Sequence, residues 1–460
     1  MKKILSIIIA FICIFALVMF AGYPKTSASA KGLNYSQFAA YQNEVLTEFS
    51  QFKNRINGTK GEAQAADFIK SKLDELCLEN NLLSPVNSAS IEAGVQEFRF
   101  NSVTDGLDYY SQNLIYFHKS QSETDKKVII GTNYDSFALE INDTSVNFVE
   151  SEGINSSAGS VALLLAIVKS LPSLNLPFNV EIIFFGAGES NNAGSNHYVK
   201  GILPEIKDNI LCMINLDNLA VGENLYFYVD EVKIGFSDFI EEASLGSSQI
   251  QLVHLGKTLL DYENELGLDY YHIAMSSDNI NFMSQQILSI NFFSGDYEEG
   301  IIYGRSEHKG EELLTYTPND NLKNIAEKYG ANYVSQNLFK AYEGVVSLLS
   351  NDNFAGECAD AQNQTKLFYG IFGSQKIITY LTAVVLIVII AIVIGIHLKL
   401  SLKSYDANIE PEFLSTIISI SQNIDETCAD ENIPKAVSQV VANDIKKDKI
   451  IKSKKNKKDS

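Results

Sequence analysis

The chain has 460 residues, 46% of them hydrophobic, and a formal net charge of -20. That content suffices for one large α/β domain or two ordinary ones and excludes a chain disordered throughout. Residues 399–460 hold 11 Lys against 10 Asp and Glu, which leaves 25 basic and 46 acidic residues before them; so acidic a main domain excludes nucleic acid as a partner, because a phosphate backbone is bound by clustered Lys and Arg.

Met1-Lys2-Lys3, an apolar run from Ile4 to Ala21 and the small residues Ala28-Ser29-Ala30 read as a signal peptide over residues 1–30. The run is also long enough to remain as an uncut anchor. Of five cysteines, Cys13 lies in this leader, Cys77, Cys212 and Cys358 in the middle, and Cys428 near the far end. No C-x-x-C pair or disulfide framework is legible; one bridge among the middle three is the alternative to buried thiols.

From about residue 40 to residue 350, short β-branched runs alternate with stretches of helical period, which predicts an α/β domain over residues 31–370. Lys127 to Gly131, Phe178 to Gly186, Cys212 to Leu216 and Ile287 to Phe293 read as strands. Ser157 to Leu171 reads as a helix, Ser195 to Lys200 as the start of another, and Asn321 to Leu349 as one long closing helix. In a mostly parallel sheet ligands gather at the carboxyl ends of strands, so Asn133, Asp135, Glu189 and Asp217 are expected along one sheet edge.

Ile377 to Ile396 carries no charge and, at about 1.5 Å per residue, is about 30 Å long, the thickness of a bilayer core. It reads as a single transmembrane helix. His397, Lys399 and Lys403 follow it while mainly Lys376 precedes it, so the positive-inside rule places residues 397–460 in the cytoplasm and the large domain outside. The tail passes Pro411 and Pro434 and ends Lys-rich, either a solvated charge run or a contact for anionic lipid.

Seven short islands stand in order along the outer domain: R-I-N-G-T-K-G from Arg55, K-V-I-I-G-T-N-Y-D-S ending at Ser136, G-I-N-S-S-A-G-S-V-A from Gly153, F-F-G-A-G-E-S-N-N-A-G-S from Phe184, I-N-L-D ending at Asp217, S-D-N-I-N-F from Ser277, and Y-T-P-N-D from Tyr316. This series resembles the co-catalytic zinc aminopeptidases, the family that also contains glutaminyl cyclases, the transferrin receptor ectodomain and nicastrin. The resemblance covers about residues 50 to 350 and implies a mixed, mostly parallel sheet flanked by helices. It also implies a pair of zinc ions sharing an aspartate bridge, each completed by a histidine and a carboxylate, with a glutamate as general base.

Carried over position by position, the first histidine falls on Asn133, the bridging aspartate on Ser156, the base on Gly188 and the last histidine on Tyr316. Glu189 and Asp217 remain as ligands, Asp135 as the aspartate behind the first ligand, and Asp278 as a cleft or supporting carboxylate. Catalytic zinc takes three protein ligands, and two carboxylates cannot hold two ions. The implied cofactor is therefore none, with zinc if the enzyme is active after all, and Ca²⁺ or Mg²⁺ at an oxygen-only set of Asn133, Asp135, Glu189 and Asp217 as a further option. His308 is the candidate for a displaced ligand, and His197 reads as a surface residue. The expectation is a catalytically inactive, membrane-anchored binding or scaffold domain for a peptide or a membrane-protein partner. The alternative is an active metal-dependent aminopeptidase.

Overall fold

The computed structural model describes residues 32–87, 93–102, 106–142, 145–202, 204–229, 236–244, 252–254, 277–295, 308 and 311–372. The expected signal peptide, the span at 377–396 and the tail lie outside the described residues, as does His272. The chain divides into two units, 1–374 and 375–460, and every described residue belongs to the first.

Helix α1 (Tyr35–Phe49) opens on a capping box in which Asn34 accepts from the Gln37 amide and Gln37 accepts in return, satisfying two amides that the first turn leaves without partners. In α2 (Lys60–Glu79) the buried positions Glu62, Ala65, Ala66, Ile69, Leu73 and Leu76 recur at helical spacing, so a carboxylate stands at the head of an apolar stripe. Strands β1 (Leu83–Pro85), β2 (Val95–Asn101) and β3 (Asp108–His118) follow. Then come β4 (Lys127–Asn133), the hairpin β5 (Ala138–Asn142) and β6 (Ser145–Val149), a π-helical turn at Ile154–Ala158 and α3 (Gly159–Leu174). The rest runs β7 (Asn179–Phe185), α4 (Ala193–Lys200), α5 (Pro204–Lys207), β8 (Ile210–Asp217), β9 (Asn224–Val229), α6 (Phe236–Ser244), β10 (Leu252–His254), α7 (Asn279–Ser284), β11 (Ser289–Gly295), α8 (Leu322–Tyr329), α9 (Tyr333–Leu349) and α10 (Phe354–Phe372).

Nine strands form one mixed sheet in the order β1-β3-β7-β4-β8-β11-β9-β10, with β2 paired to β3; β5 and β6 form a separate two-stranded sheet. Its centre, β7-β4-β8-β11, is parallel, while β3 joins β7 and β9 joins β11 antiparallel. Both faces of this centre are covered, which is why its strands read as nearly continuous apolar runs. Val128, Ile130, Ile182 and Ile214 meet α1, α2, α3 and α9 on one face, and Ile129, Ile183 and Met213 meet α4 and α7 on the other. Among the described residues, one helical stretch, Ile154–Leu174, is long and apolar enough to cross a membrane, yet it is 83% buried as the crossover between β4 and β7.

The closing helix expected over Asn321 to Leu349 is two helices, α8 and α9. Gly330 sits between them at φ 105, a backbone conformation that L side chains rarely adopt and that ends α8. No disulfide joins Cys77, Cys212 and Cys358.

Arg55 is fully buried and joins the segment before α2 to the site loops. Its Nε donates to the Tyr134 carbonyl at 3.0 Å, Nη1 to the carbonyls of Phe52 and Glu152 at 2.9 and 2.8 Å, and Nη2 to Gly153 O at 3.3 Å and Ser157 Oγ at 3.0 Å. All five donors are thereby used, and the cation stacks 4.8 Å over Phe49. Burial lowers its pKa to about 10, so it stays charged at neutral pH. Gly153, at φ 57, lies so close that a Cβ would stand 2.7 Å from Arg55 Nη2. Replacing Arg55 by Met would strand four buried carbonyls; chemical denaturation should show a loss of about 3 kcal/mol or more.

Candidate functional site

The parallel strands β4, β7 and β8 end at the same sheet edge. They deliver Asn133 and Asp135, the Gly186 to Glu189 loop, and Asp217 there, as the alternation of elements predicts. Ala187 takes φ 50, and this left-handed residue helps turn successive amides the same way. Ala187 N donates to Glu62 Oε1 at 2.8 Å, Gly188 N to Asp135 Oδ1 at 2.8 Å and Glu189 N to Asp135 Oδ2 at 2.9 Å. Such a nest of amides ordinarily holds an anion; here the anions are two side chains of the protein itself. Asp135 is wholly buried, and Glu62 also accepts from Ser111 Oγ at 2.7 Å and Gly58 N at 2.6 Å.

The positions that the resemblance assigns to ligands and base are occupied differently. Asn133 turns its amide nitrogen back to the Asp135 side chain and carbonyl, both at 3.3 Å. Gly188 lies against it: a Cβ on Gly188 would stand 2.6 Å from Asn133 Cβ and 3.0 Å from Asp135 Oδ1. Ser156 Oγ pairs with Ser136 Oγ at 2.9 Å. The amides of Asn155 and Ser156, opening the π-helical turn, donate to the two oxygens of buried Asp320 at 2.7 and 3.0 Å. Tyr316, at φ 68, stacks on Phe137 with ring centres 4.9 Å apart.

Glu189 and Asp217 are half-buried on this edge. Asp278 is only 1% exposed, so it stands behind the edge and not on the cleft surface. Among the described residues no group of three or more His, Cys, Asp or Glu is arranged to hold a metal ion. The donors present therefore do not fit a zinc pair, which needs three such ligands per catalytic ion. Of the oxygen-only set, Asp135 gives each of its two oxygens to one loop amide.

The histidines lie elsewhere. His118 is buried at the opposite sheet edge, paired with Leu83 and Val180, and burial lowers its pKa to about 4. His197 is exposed and stacks on Phe98 at 5.1 Å. His308 stacks on Tyr329 at 4.3 Å, with Nε2 2.9 Å from Tyr333 Oη and Nδ1 3.7 Å from Glu223. It serves the α8–α9 corner, not a displaced ligand role, because aromatic packing and a hydroxyl partner hold its ring there. The side chain of His254 is outside the described residues.

Sequence reasoning assigned no role to Glu62, Arg55 or Asp320. Glu62 was detectable in principle, as the one acid on the buried stripe of α2. Its carboxyl is pushed up by burial and then by the charge of Asp135, and Asp135 is pushed up chiefly by burial. Asp278 is raised to about 7 by burial first, with Asp135 and Asp217 adding to the shift.

Two outcomes follow from this packing. Gly188→Ala should cost about 1–3 kcal/mol by overpacking against the Asn133 Cβ; Asn133→Gly, which removes that Cβ, should restore part of it, whereas Asn133→Ala, which keeps it, should not, a coupling readable in a double-mutant denaturation cycle. The raised carboxyls bind protons more tightly folded than unfolded, so their contribution is complete below their ordinary range near pH 4 and is lost as pH rises through about 7 for Asp278. Melting temperature should therefore fall between pH 5 and pH 8, measured at constant ionic strength.

The profile of peptidase family M28 matches residues 113–338, from the middle of β3 into α9. The chain is 23% identical over 193 residues to the alkaline phosphatase isozyme conversion protein of Escherichia coli, covering 41% of this chain and 53% of that protein. The match thus spans about half the length of that curated relative. Among solved structures, a zinc aminopeptidase from Bacillus subtilis aligns with a TM-score of 0.46 at 16% identity, over 67% of this chain and 94% of that one. A Zn-dependent exopeptidase from Parabacteroides distasonis gives 0.46 at 19%, over 70% and 99%. A glutaminyl cyclase from Bacteroides thetaiotaomicron, bound to N-acetylhistamine, gives 0.47 at 15%, over 68% and 98%. Residues 113–338 of the chain thus match the model of peptidase family M28.

Proposed function

We propose that this M28 domain binds a peptide or a membrane-protein partner without cleaving it. In this reading residues 1–30 are a signal peptide, residues 31–370 the extracytoplasmic domain, 377–396 the single span and 397–460 the cytoplasmic tail. The observation that carries the non-catalytic part is the contact between Gly188 and Asn133. Where the resemblance has a general base, a Cβ alone would stand 2.6 Å from the neighbouring Cβ. The loop is built around having no side chain there, and loss of a base costs roughly 10²- to 10⁴-fold in rate. Asn133, Ser156 and Tyr316 likewise supply no anionic or imidazole ligand, so water would keep its ordinary, weakly nucleophilic state.

What remains suits capture. Glu189 and Asp217 place negative charge at the edge, which favours the amino end of a peptide over an anionic ligand. Tyr316 and Phe137, extended by Phe148 at 5.7 Å and 45% exposed, offer an aromatic wall for an apolar side chain.

The test uses the full-length protein in detergent with aminoacyl-anilides and added Zn²⁺, Co²⁺ or Mn²⁺. No turnover is expected. Turnover that chelator and Glu189→Ala both abolish would establish the active aminopeptidase instead. Calorimetry with short peptides bearing a free amino end should show binding that Glu189→Gln weakens by about 5- to 10-fold, or about 1 kcal/mol; affinity unchanged by that substitution would count against the charge-based capture.

A further inference from the structure

The hairpin β5–β6 springs directly from the site edge, since Phe137 follows Ser136, whose Oγ pairs with Ser156 at 2.9 Å. A two-stranded ribbon is marginal by itself, and this one is tied down at its base on both sides. Leu139 N donates to the Tyr316 carbonyl at 2.8 Å and Ser151 N to the Lys53 carbonyl at 3.2 Å. Ser151 Oγ lies 3.3 and 3.2 Å from the carbonyls of Thr317 and Asp320. These anchors fix the ribbon beside Tyr316, so whatever it presents is presented in one place.

The register decides which way each backbone group points. In an antiparallel pair, opposite residues alternate between those that exchange both hydrogen bonds with one another and those whose N–H and C=O point outward. Leu139 stands opposite Phe148, and the Leu139 N–H goes outward to Tyr316, so this pair is of the second kind. The Phe148 N–H and C=O therefore point along the outer side of β6. On β5 the outer side is closed by Tyr316. On β6, among the described residues, no further strand lies alongside and nothing bonds to the Phe148 backbone. Folded proteins ordinarily blunt such an edge with a charge, a lysine, a proline or a bulge; Ser145 to Val149, S-V-N-F-V, carries none of the four. The Phe148 ring is exposed beside that edge and meets Phe137, which stacks in turn on Tyr316.

Charge chooses the occupant. Glu140 on β5 and Glu150 just after β6 are both exposed, and Glu150 has a neutral partner, the Asn54 amide at 3.4 Å. Edge-to-edge pairing of two copies of the chain would gather both sets of glutamates on one small surface, where like charges repel. A segment bearing Lys or Arg brings the opposite charge. We propose that β6 accepts an extended, cationic peptide segment as a third strand of the hairpin sheet. Its backbone bonds to the outward N–H and C=O of Phe148, and one of its apolar side chains lies on Phe148 and Phe137. The main-chain bonds supply affinity that tolerates sequence, while the aromatic pair and the glutamates select an apolar, basic segment. This rests on the peptide-binding reading for the class of ligand, but needs neither Glu189 nor a free amino end.

The experiment is calorimetry on the full-length protein in detergent, with a short peptide alternating lysine and valine, acetylated at its amino end so that capture at Glu189 plays no part. Binding is expected, together with slower amide hydrogen exchange over residues 145–149. Methylating every backbone nitrogen of the peptide should weaken it about 10-fold or more. Phe148→Ala, which removes the ring, should weaken it about 3-fold, and Phe148→Pro, which also removes the outward N–H while sparing every β5–β6 bond, about 10-fold. No binding, equal affinity of the plain and methylated peptides, or unchanged exchange over 145–149 would each overturn strand addition. If the peptide with a free amino end still binds in that case, and Glu189→Gln weakens it, capture at the site edge stands without the third strand. A dimer that forms with rising protein concentration and is abolished by Phe148→Pro would overturn the proposal too, by giving the edge to a second copy. Should Phe148→Pro not fold, Phe148→Ala, the methylated peptide and the exchange data decide the question.

Discussion

The arrangement of the whole site depends on one set of contacts, the delivery of the amides of Ala187, Gly188 and Glu189 to the buried carboxylates of Glu62 and Asp135. A carboxylate in a low-dielectric interior is costly unless its oxygens are filled, and a loop with three aligned N–H groups is costly unless they meet an anion. Each side therefore satisfies the other. The loop after β7 is locked onto the end of β4, and Glu189 is held at the edge while its neighbour at 188 is pressed against Asn133. The same lock occupies one acceptor position on each oxygen of Asp135.

Around this lock lies a second, cationic one. Arg55 gathers four carbonyls from three stretches of chain, and Asp320 takes the two amides that open the π-helical turn. The turn that holds Ser156 is thus gripped from both ends by buried charges that do not touch one another directly. This arrangement needs no ion at the edge to hold its shape, since each of these backbone groups already has a protein partner.

The replacements at Asn133 and Gly188 are packed as a unit. The amide of Asn133 reaches back to Asp135, and its Cβ fills the space that a side chain at 188 would need. Tyr316 behaves in the same way: in place of an imidazole it presents a ring stacked on Phe137, with its carbonyl accepting from Leu139 N at 2.8 Å. A site that had merely lost ligands would leave gaps where they stood. Asn133 and Gly188 are instead filled by each other, and Tyr316 by Phe137.

The sequence by itself determined the fold class, the central strands and the edge on which Asn133, Asp135, Glu189 and Asp217 gather, because continuous apolar runs bounded by polar residues are a local signal and parallel strands present their carboxyl ends together. Residue type alone also puts Asn133, Ser156 and Tyr316, none of them an imidazole or a carboxylate, at the positions that the resemblance assigns to the first histidine, the bridge and the last histidine. Only the tertiary structure decided that Asp278 is sealed from solvent, that His308 belongs to an aromatic corner, that Gly330 divides the last helix pair, and that Glu62, on an apolar stripe far away in sequence, holds the loop at 187. Those depend on burial and on partners brought together from distant segments, and a buried carboxylate and a solvated one are written with the same letter.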